Sequence, residues 1–368
     1  MAEALKLIYN KAFFEQLTKS LQETLPAFDK KAFLKAIYDK QWEQRELKDR
    51  MKHIASVMHQ FLSKDFAKDV KTLFTLIDRL RQNGARESSF EYMFLPEYVE
   101  AYGIDHPDLS IQAFERITPF TSCEFAVRPF IKKYPERMMA QMLAWSTHKN
   151  EHVRRFASEG CRPRLPWAMA LPALKKNPKA IFPILENLKQ DPSEYVRRSV
   201  ANNLNDIIKD HPDVVLQLAQ QWTGKHEHTD GILKHGTRTL LKQGHVEALS
   251  LFGFSADTNC EVLQFKLAAK QLKIGEHLHF SFQLRNNHKK NLKLRLEYRI
   301  YYVKSSGKQS SKIFKITENH FTTGEVYSFQ RKQSFQDMTT RKHYPGVHKI
   351  CLVVNGSEVC SKTFKVIP

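Results

Sequence analysis

Apolar residues recur with a helical period through the first two thirds of the chain. Leu47, Met51, Ile54, Met58 and Phe61 are spaced four, three, four and three residues apart, and Phe66, Val70, Leu73, Ile77 and Leu80 resume the rhythm after a short break. This spacing predicts two amphipathic helices, each with one buried stripe. Further along, Pro135 opens PERMMAQMLAWST and Pro178 opens PKAIFPILENLKQ, and a Val-Arg-Arg triplet ends twenty residues after each proline, at Arg155 and at Arg198. Proline is tolerated at the first helical position, where its missing N–H would have no partner anyway, so each proline reads as a helix start. His-Pro-Asp at 106–108 and 211–213 opens similar units. Trp145, Leu188 and Trp222 each stand ten residues after a proline, as apolar anchors at one register. Beyond about residue 255 the period shortens. LHFSFQLR, LKLRLEYRIYYV, SKIFKI, VYSFQRKQSF, VHKICLVV and EVCSKTFKVI alternate or are rich in β-formers. Turn signals such as Ser306-Gly307, Thr323-Gly324 and Asn355-Gly356 separate them.

Helix pairs recurring at about 28 to 43 residues are the mark of a HEAT-like solenoid, in which one unit cannot bury its apolar face alone and neighbours stack. About seven strands in ~110 residues, without a Cys…Trp…Cys core, read as a generic immunoglobulin-like sandwich. The expected fold is therefore multidomain and mainly α. Residues 1–253 are expected to form a HEAT-like helical domain, and residues 256–368 an all-β sandwich. Stacked units curve, and Arg154, Arg155, Arg197 and Arg198 recur at one register along the expected groove. That spacing suits the phosphates of a nucleic-acid backbone.

The 368 residues carry 58 Lys and Arg against 39 Asp and Glu, a formal charge of +19 with pI near 9.6. Such an excess points to a polyanionic partner, with nucleic acid ahead of an anionic membrane. Residues from 254 onward hold 20 of the basic and 8 of the acidic residues, so the sandwich is a candidate DNA clamp. No apolar run reaches the ~18 residues that a membrane span needs, and the start of the chain lacks the layout of a secretory signal. Five cysteines, an odd and sparse set, suit a reducing cytosol. A thiol pair at Cys351 and Cys360, facing across the Asn355-Gly356 turn, is geometrically open to oxidation, and reduced thiols are expected. The expected location is the bacterial cytoplasm, close to the nucleoid.

The stretch from Glu151 to Trp167, EHVRRFASEGCRPRLPW, surrounds one acid, Glu159, with four arginines and ends in a tryptophan. Gripping phosphates, holding a carboxylate near a reacting sugar and offering an aromatic face call for these residue types. Each has a plainer reading as well. Glu159 is spaced to pair along a helix with Arg155 and Arg162. Thr121 to Glu124, TSCE, has the form of a capping box. Trp167 follows Pro166 where a new helix would begin, and burial is the usual fate of tryptophan. Arg162 and Arg164 lie in a turn stiffened by Pro163 and Pro166, which favours binding over free solvation. Asp206, beside Asn205 near a helix end, reads first as surface. His226-Glu227-His228, at i,i+2 spacing in a polar loop without cysteine, predicts no metal site. There is no Gly-rich phosphate loop, no GxSxG elbow and no CxxC pair.

With SEGCRPRLPWA at 158–168 and VRRSVANNLNDI at 196–207, the whole chain resembles the AlkC-type DNA alkylation repair glycosylases, HEAT-like proteins related to the AlkD group, some of which carry an immunoglobulin-like domain. The resemblance implies hydrolysis of the N-glycosidic bond of cationic N3-methylated bases, chiefly 3-methyladenine and 3-methylcytosine, in duplex DNA. It implies no metal or cofactor, a lesion exposed by bending the duplex rather than by a deep pocket, and a functional acid at Glu124. On this reading Glu124, Glu159 and Asp206 are catalytic, Trp167 and Arg162 face the lesion, and Arg154, Arg155, Arg164, Arg197 and Arg198 bind DNA. The protein is expected to act as a monomer. A non-catalytic HEAT scaffold that binds structured nucleic acid would share the charge and the repeats.

Overall fold

The computed structural model describes residues 5–255, 258–338 and 341–368. Sixteen α-helices lie among the described residues: α1 (Lys11–Thr24), α2 (Lys30–Ile37), α3 (Leu47–Phe61), α4 (Phe66–Gln82), α5 (Phe94–Gly103), α6 (Pro107–Ile117), α7 (Val127–Lys133), α8 (Pro135–Trp145), α9 (Glu151–Gly160), α10 (Pro172–Lys176), α11 (Phe182–Leu188), α12 (Glu194–Ile207), α13 (Pro212–Trp222), α14 (Glu227–Gly236), α15 (Arg238–Gln243) and α16 (Val246–Leu251). The two long periodic runs are α3 and α4. Proline opens α6, α8 and α13 as their sequences predict. Pro178 does not. A 3₁₀ turn at Lys179–Ile181 follows it, and the α-helix starts only at Phe182 with Pro183 in its first turn, because that second proline has no N–H to donate to an earlier turn.

The described residues fall into two compact units. One runs to Asp210 and takes in Gly224–Gly236, and the other comprises His211–Thr223 and Thr237–Pro368. In the first, α3 packs on α5, α5 on α6 and α7, and α7 on α8. Then α8 packs on α9, α9 on α12 and α12 on α14, with α11 behind α8, α9 and α12. This pairing of helices, layer on layer, is the HEAT-like arrangement. Trp145 and Leu188, the expected anchors, are buried between layers, as is Trp222 in the second unit. His226 lies just before α14, and Glu227 and His228 form its first turn rather than a loop.

The second unit contains α13, α15 and α16 with eight strands: β1 (Cys260–Leu267), β2 (Gln271–Lys273), β3 (His277–Asn286), β4 (Leu292–Val303), β5 (Gln309–Phe321), β6 (Val326–Ser334), β7 (Gly346–Val354) and β8 (Ser357–Ile367). The sheets are ordered β1-β3-β6 and β2-β8-β7-β4-β5, antiparallel except for β2 with β8. Strict alternation buries Leu278, Phe280, Phe282 and Leu284 of β3 against Leu294, Ile300, Ile350 and Phe364 of the other sheet. Asn355 and Gly356, both at positive φ, make the tight β7–β8 turn their sequence predicts. The cysteines do not face each other. A bulge past Leu352 sets Cys360 opposite Leu352 and Cys351 opposite Ser361, and a shift of one residue turns a side chain to the other face. Both thiols are free. The turn also meets the helical tail: a Cβ on Gly356 would lie 2.1 Å from the Cα of Gly244, which ends α15. Nearby, Asn355 Nδ2 donates to the Ser255 carbonyl and Lys293 Nζ to that of Phe252. The expected domain boundary at 253–256 falls partly on residues outside those described.

Among the carboxyls of the helical unit, Glu100 is held well above its ordinary value. Burial of Glu100 on α5, helped by the charge of Glu97 and opposed by Lys52 and Lys48, pushes it up to about 7. The folded protein therefore keeps a proton between its ordinary value and about 7 that the unfolded chain has already released. Stability from this group is complete at acidic pH and is lost as pH rises through that window. Glu100→Gln is expected to flatten this slope, with a higher thermal midpoint than wild type at pH 8 and an equal one at pH 4. Parallel midpoint-versus-pH curves for the two proteins would contradict it.

Candidate active site

The site begins with α9. Asn150 caps it by accepting from the His152 N–H, and Val153, Phe156 and Ala157 bury one face. The register leaves Arg155 and Glu159 on a second face, with Arg162 one turn on, just past the helix end. α12 runs beside α9 and turns Ser199, Asn203 and Asp206 towards it, again at i, i+4 and i+7. Glu159, 5 % exposed, accepts from Arg162 Nη1 at 2.6 Å on one oxygen and from Ser199 Oγ at 2.6 Å on the other, with Arg155 Nη2 3.7 Å away. Arg162 turns its Nε to Asp206, 2.9 Å. Arg155 in turn donates from Nη1 to Glu124, 2.6 Å, which also accepts from Ser122 Oγ. The result is an alternating chain of charge: Glu124, Arg155, Glu159, Arg162, Asp206.

Buried charges persist only when paired and hydrogen-bonded, and each member here has an opposite partner. Burial works against the charges on Arg155 and Arg162, but Glu124 and Glu159 for the first, and Glu159 and Asp206 for the second, outweigh it. Both guanidiniums are held above their ordinary value. Three carboxylates face two guanidiniums, so the chain itself carries a net charge of −1, with Lys209 Nζ touching its outer end at Asp206, 3.2 Å.

Local structure departs from two plainer sequence readings. TSCE does not cap a helix: the Thr121 hydroxyl donates to the Ser89 carbonyl, residues 124–126 form a turn, and α7 starts at Val127 without a side-chain cap. Glu124 is thereby left to Arg155. Asp206 is not surface but 2 % exposed.

Trp167 also differs from a packed helix start. No helix begins there, since a turn carries the chain to α10 at Pro172, and the indole is 59 % exposed. Its φ of +64° is an outlier for a bulky residue, costing about 1–3 kcal/mol that the surroundings must supply. Arg128 on α7 is one such support. Wholly buried, it donates from Nε to the Met169 carbonyl, 2.6 Å, and from Nη1 to that of Gly160, 3.0 Å, so it ties the loop to the end of α9. Burial lowers its guanidinium to about 10. Sequence reasoning passed over Arg128. The signal was an arginine embedded in the apolar run Ala126 to Ile131.

The repeated arginines divide. Arg154 makes two bonds to Asp191, 2.6 and 3.0 Å, and two more to the His148 and Lys149 carbonyls, while Arg197 bonds the carbonyls of Asp191 and Pro192. The first of each pair thus secures turns between repeats. Of the second, Arg155 enters the acid chain and lies 4.6 Å over the Tyr195 ring, whereas Arg198 is exposed and paired with Glu194. Arg164 makes two bonds to Asp210. Arg162 is enclosed between Glu159 and Asp206 and is buried. Beside Glu124, a polar recess of about 30 Å³ is lined by Ser122, His152, Arg155 and Tyr195.

Residues 50–234 match the model of a family described as DNA alkylation repair enzyme, and residues 261–368 match the C-terminal Ig-like domain of the uncharacterised protein YhaZ. The chain is 44% identical over 362 residues to uncharacterized protein YhaZ of Bacillus subtilis strain 168, covering 98% of this chain and 99% of that one. It is also similar to a solved structure, the Pseudomonas fluorescens alkylpurine DNA glycosylase AlkC bound to DNA containing an abasic site analog, at 38% identity and a TM-score of 0.94, with 100% of each chain covered. A matched helical half that holds every member of the acid chain, joined to an immunoglobulin-like half, places this protein in the family of DNA alkylation repair enzymes.

Proposed function

We propose that the protein is a monofunctional DNA glycosylase that hydrolyses the N-glycosidic bond of cationic N3-alkylated bases, 3-methyladenine and 3-methylcytosine, in duplex DNA. The observation that carries this reading is the chain of Glu124, Glu159 and Asp206 about Arg155 and Arg162, whose central members Arg155, Glu159 and Arg162 share one short segment with an exposed tryptophan. A binding scaffold has no use for three carboxylates gathered among its arginines. Their net negative charge repels phosphate and suits a cation.

An N3-alkylated base leaves with the bond electrons and so loses its positive charge, which makes a strong general acid unnecessary. The deoxyribose is left with oxocarbenium character at C1′. Ionised carboxylates, preorganised by their arginines, stabilise that charge without reorganising as the bond breaks. Water then adds at C1′ and gives its proton to a carboxylate. The recess lined by Ser122 and Arg155, both of which bond Glu124, exceeds the ~10–15 Å³ that one water requires, and in this reading Glu124 acts through them on that water. Trp167 offers the cationic base a face worth about 0.5–2 kcal/mol by cation–π contact. In this reading Arg198 and Arg164, both reached by solvent, contact phosphates, and the strongly basic sandwich acts as a clamp on the duplex. The protein works in this reading as a cytoplasmic monomer.

Purified protein incubated with duplex DNA containing N3-methyladenine is expected to release the free base and leave an unbroken abasic strand. Tight binding without base release would instead make the protein a scaffold, and strand cleavage would rule out monofunctional chemistry.

A further inference from the structure

The glycosylase reading assigns Trp167 a role but leaves open what holds it. Its carbonyl accepts from Lys48 Nζ at 2.6 Å, across 119 residues of sequence. The same ammonium lies 5.1 Å from the centre of the Phe125 ring, next in sequence to Glu124. Lys48 sits in the first turn of α3, half-buried, two residues before the stretch that matches the repair-enzyme family. Glu97 and Glu100 of α5 both feel its charge. One cation therefore joins the loop bearing Trp167 to the turn bearing Glu124.

We propose that Lys48 is a positioning residue for base release, its ammonium fixing the Trp167 peptide against the Glu124 segment so that the indole and the acid chain meet one nucleotide in register. A tryptophan at φ +64° persists only where its surroundings over-determine it. Arg128 secures the loop two residues further on, at Met169, and the Phe90 ring lies tilted against the indole, 6.3 Å between ring centres. Lys48 acts on the Trp167 peptide itself. Small misplacements of groups around a reacting centre lower rates steeply, so this contact governs rate more than affinity.

The inference rests on Trp167 facing the lesion, and its test separates the two claims. Trp42, Trp145 and Trp222 are buried, so quenching of tryptophan fluorescence by acrylamide reports mainly on Trp167. Lys48→Met keeps the apolar stem and removes the donor. It is expected to change the quenching constant and to lower single-turnover release of N3-methyladenine about tenfold, with DNA affinity within about twofold of wild type. Lys48→Arg, which retains a donor, recovers part of the rate. In a Trp167→Phe background, Lys48→Met adds little further loss, because the two act as one unit. Wild-type release by Lys48→Met overturns the proposal, whether or not quenching changes, and so does a full additional loss in the Trp167→Phe background. Should the methionine variant fail to fold, Lys48→Leu, which also lacks a donor, takes its place under the same outcomes. If the wild type itself releases no base, the glycosylase reading falls and this role falls with it. The quenching change then still shows whether Lys48 sets Trp167.

Discussion

Replacing Arg162 by alanine is expected to destabilise the helical unit by about 3–5 kcal/mol and to abolish base release, because the change takes the nearest cation from two buried carboxylates at once. In the native protein one guanidinium serves Glu159 through Nη1 and Asp206 through Nε, with its side chain 8% exposed. Without it, the two acids face each other across a cavity that excludes most water. The cheapest response is to bind a proton, so their folded-state affinity for protons rises above that of the unfolded chain. The sign of the pH effect follows. The variant is expected to lie closest to wild-type stability near pH 5 and to fall furthest behind near pH 8, as the carboxyls are forced to ionise. Thermal melts of both proteins by circular dichroism at the two pH values check this, and a deficit that does not grow with pH would contradict it. Arg162→Lys is expected to restore only part of the loss, since a point charge cannot span two carboxylates as a planar fork does.

Glu159→Gln carries the other large effect. The amide keeps the size of the side chain and an acceptor for Ser199 or Arg162, so the protein is expected to fold. What changes is charge: the chain of three acids and two arginines goes from −1 to neutral at its centre. Removing one preorganised group that stabilises transition-state charge typically costs about 10²–10³ in rate, or about 2.7–4 kcal/mol. Base release is expected to fall by that factor. DNA affinity is expected to hold or to rise slightly, because the protein loses one negative charge.

Much of the architecture could be read before any coordinates. The four-three rhythm of Leu47 to Phe61 became α3, residue for residue, and the alternation in LHFSFQLR became the buried face of β3. Both are period signals, which local sequence carries. What failed were features decided by pairing. A bulge past Leu352 separates Cys351 from Cys360, and no local pattern announces which residue a strand will leave unpaired. Pro178 looked like every other helix-opening proline until Pro183, five residues on, denied the helix its first turn. The grouping of α13, α15 and α16 with the sandwich depends on contacts between segments far apart in sequence.

The site shows the same division. The spacing of Arg155, Glu159 and Arg162 along one face was legible, because a helix makes neighbours of residues three and four apart. That Asp206 completes the chain was not, since its place near a helix end argued for the surface and only the stacking of α12 on α9 buries it. Among the arginines, sequence gave no means of telling Arg154, spent on Asp191, from Arg155, spent on Glu124. The partners lie in other repeats. Trp167 owes its exposure to a left-handed backbone conformation that Lys48 and Arg128 maintain from distant helices.

The central claim, that the acid chain drives cleavage of the glycosidic bond, is tested most directly by single-turnover release of N3-methyladenine from one duplex by wild type and Glu159→Gln, with binding to that duplex measured alongside. The account predicts release slowed about 10²–10³-fold at undiminished affinity. Equal rates of release from the two proteins would contradict it.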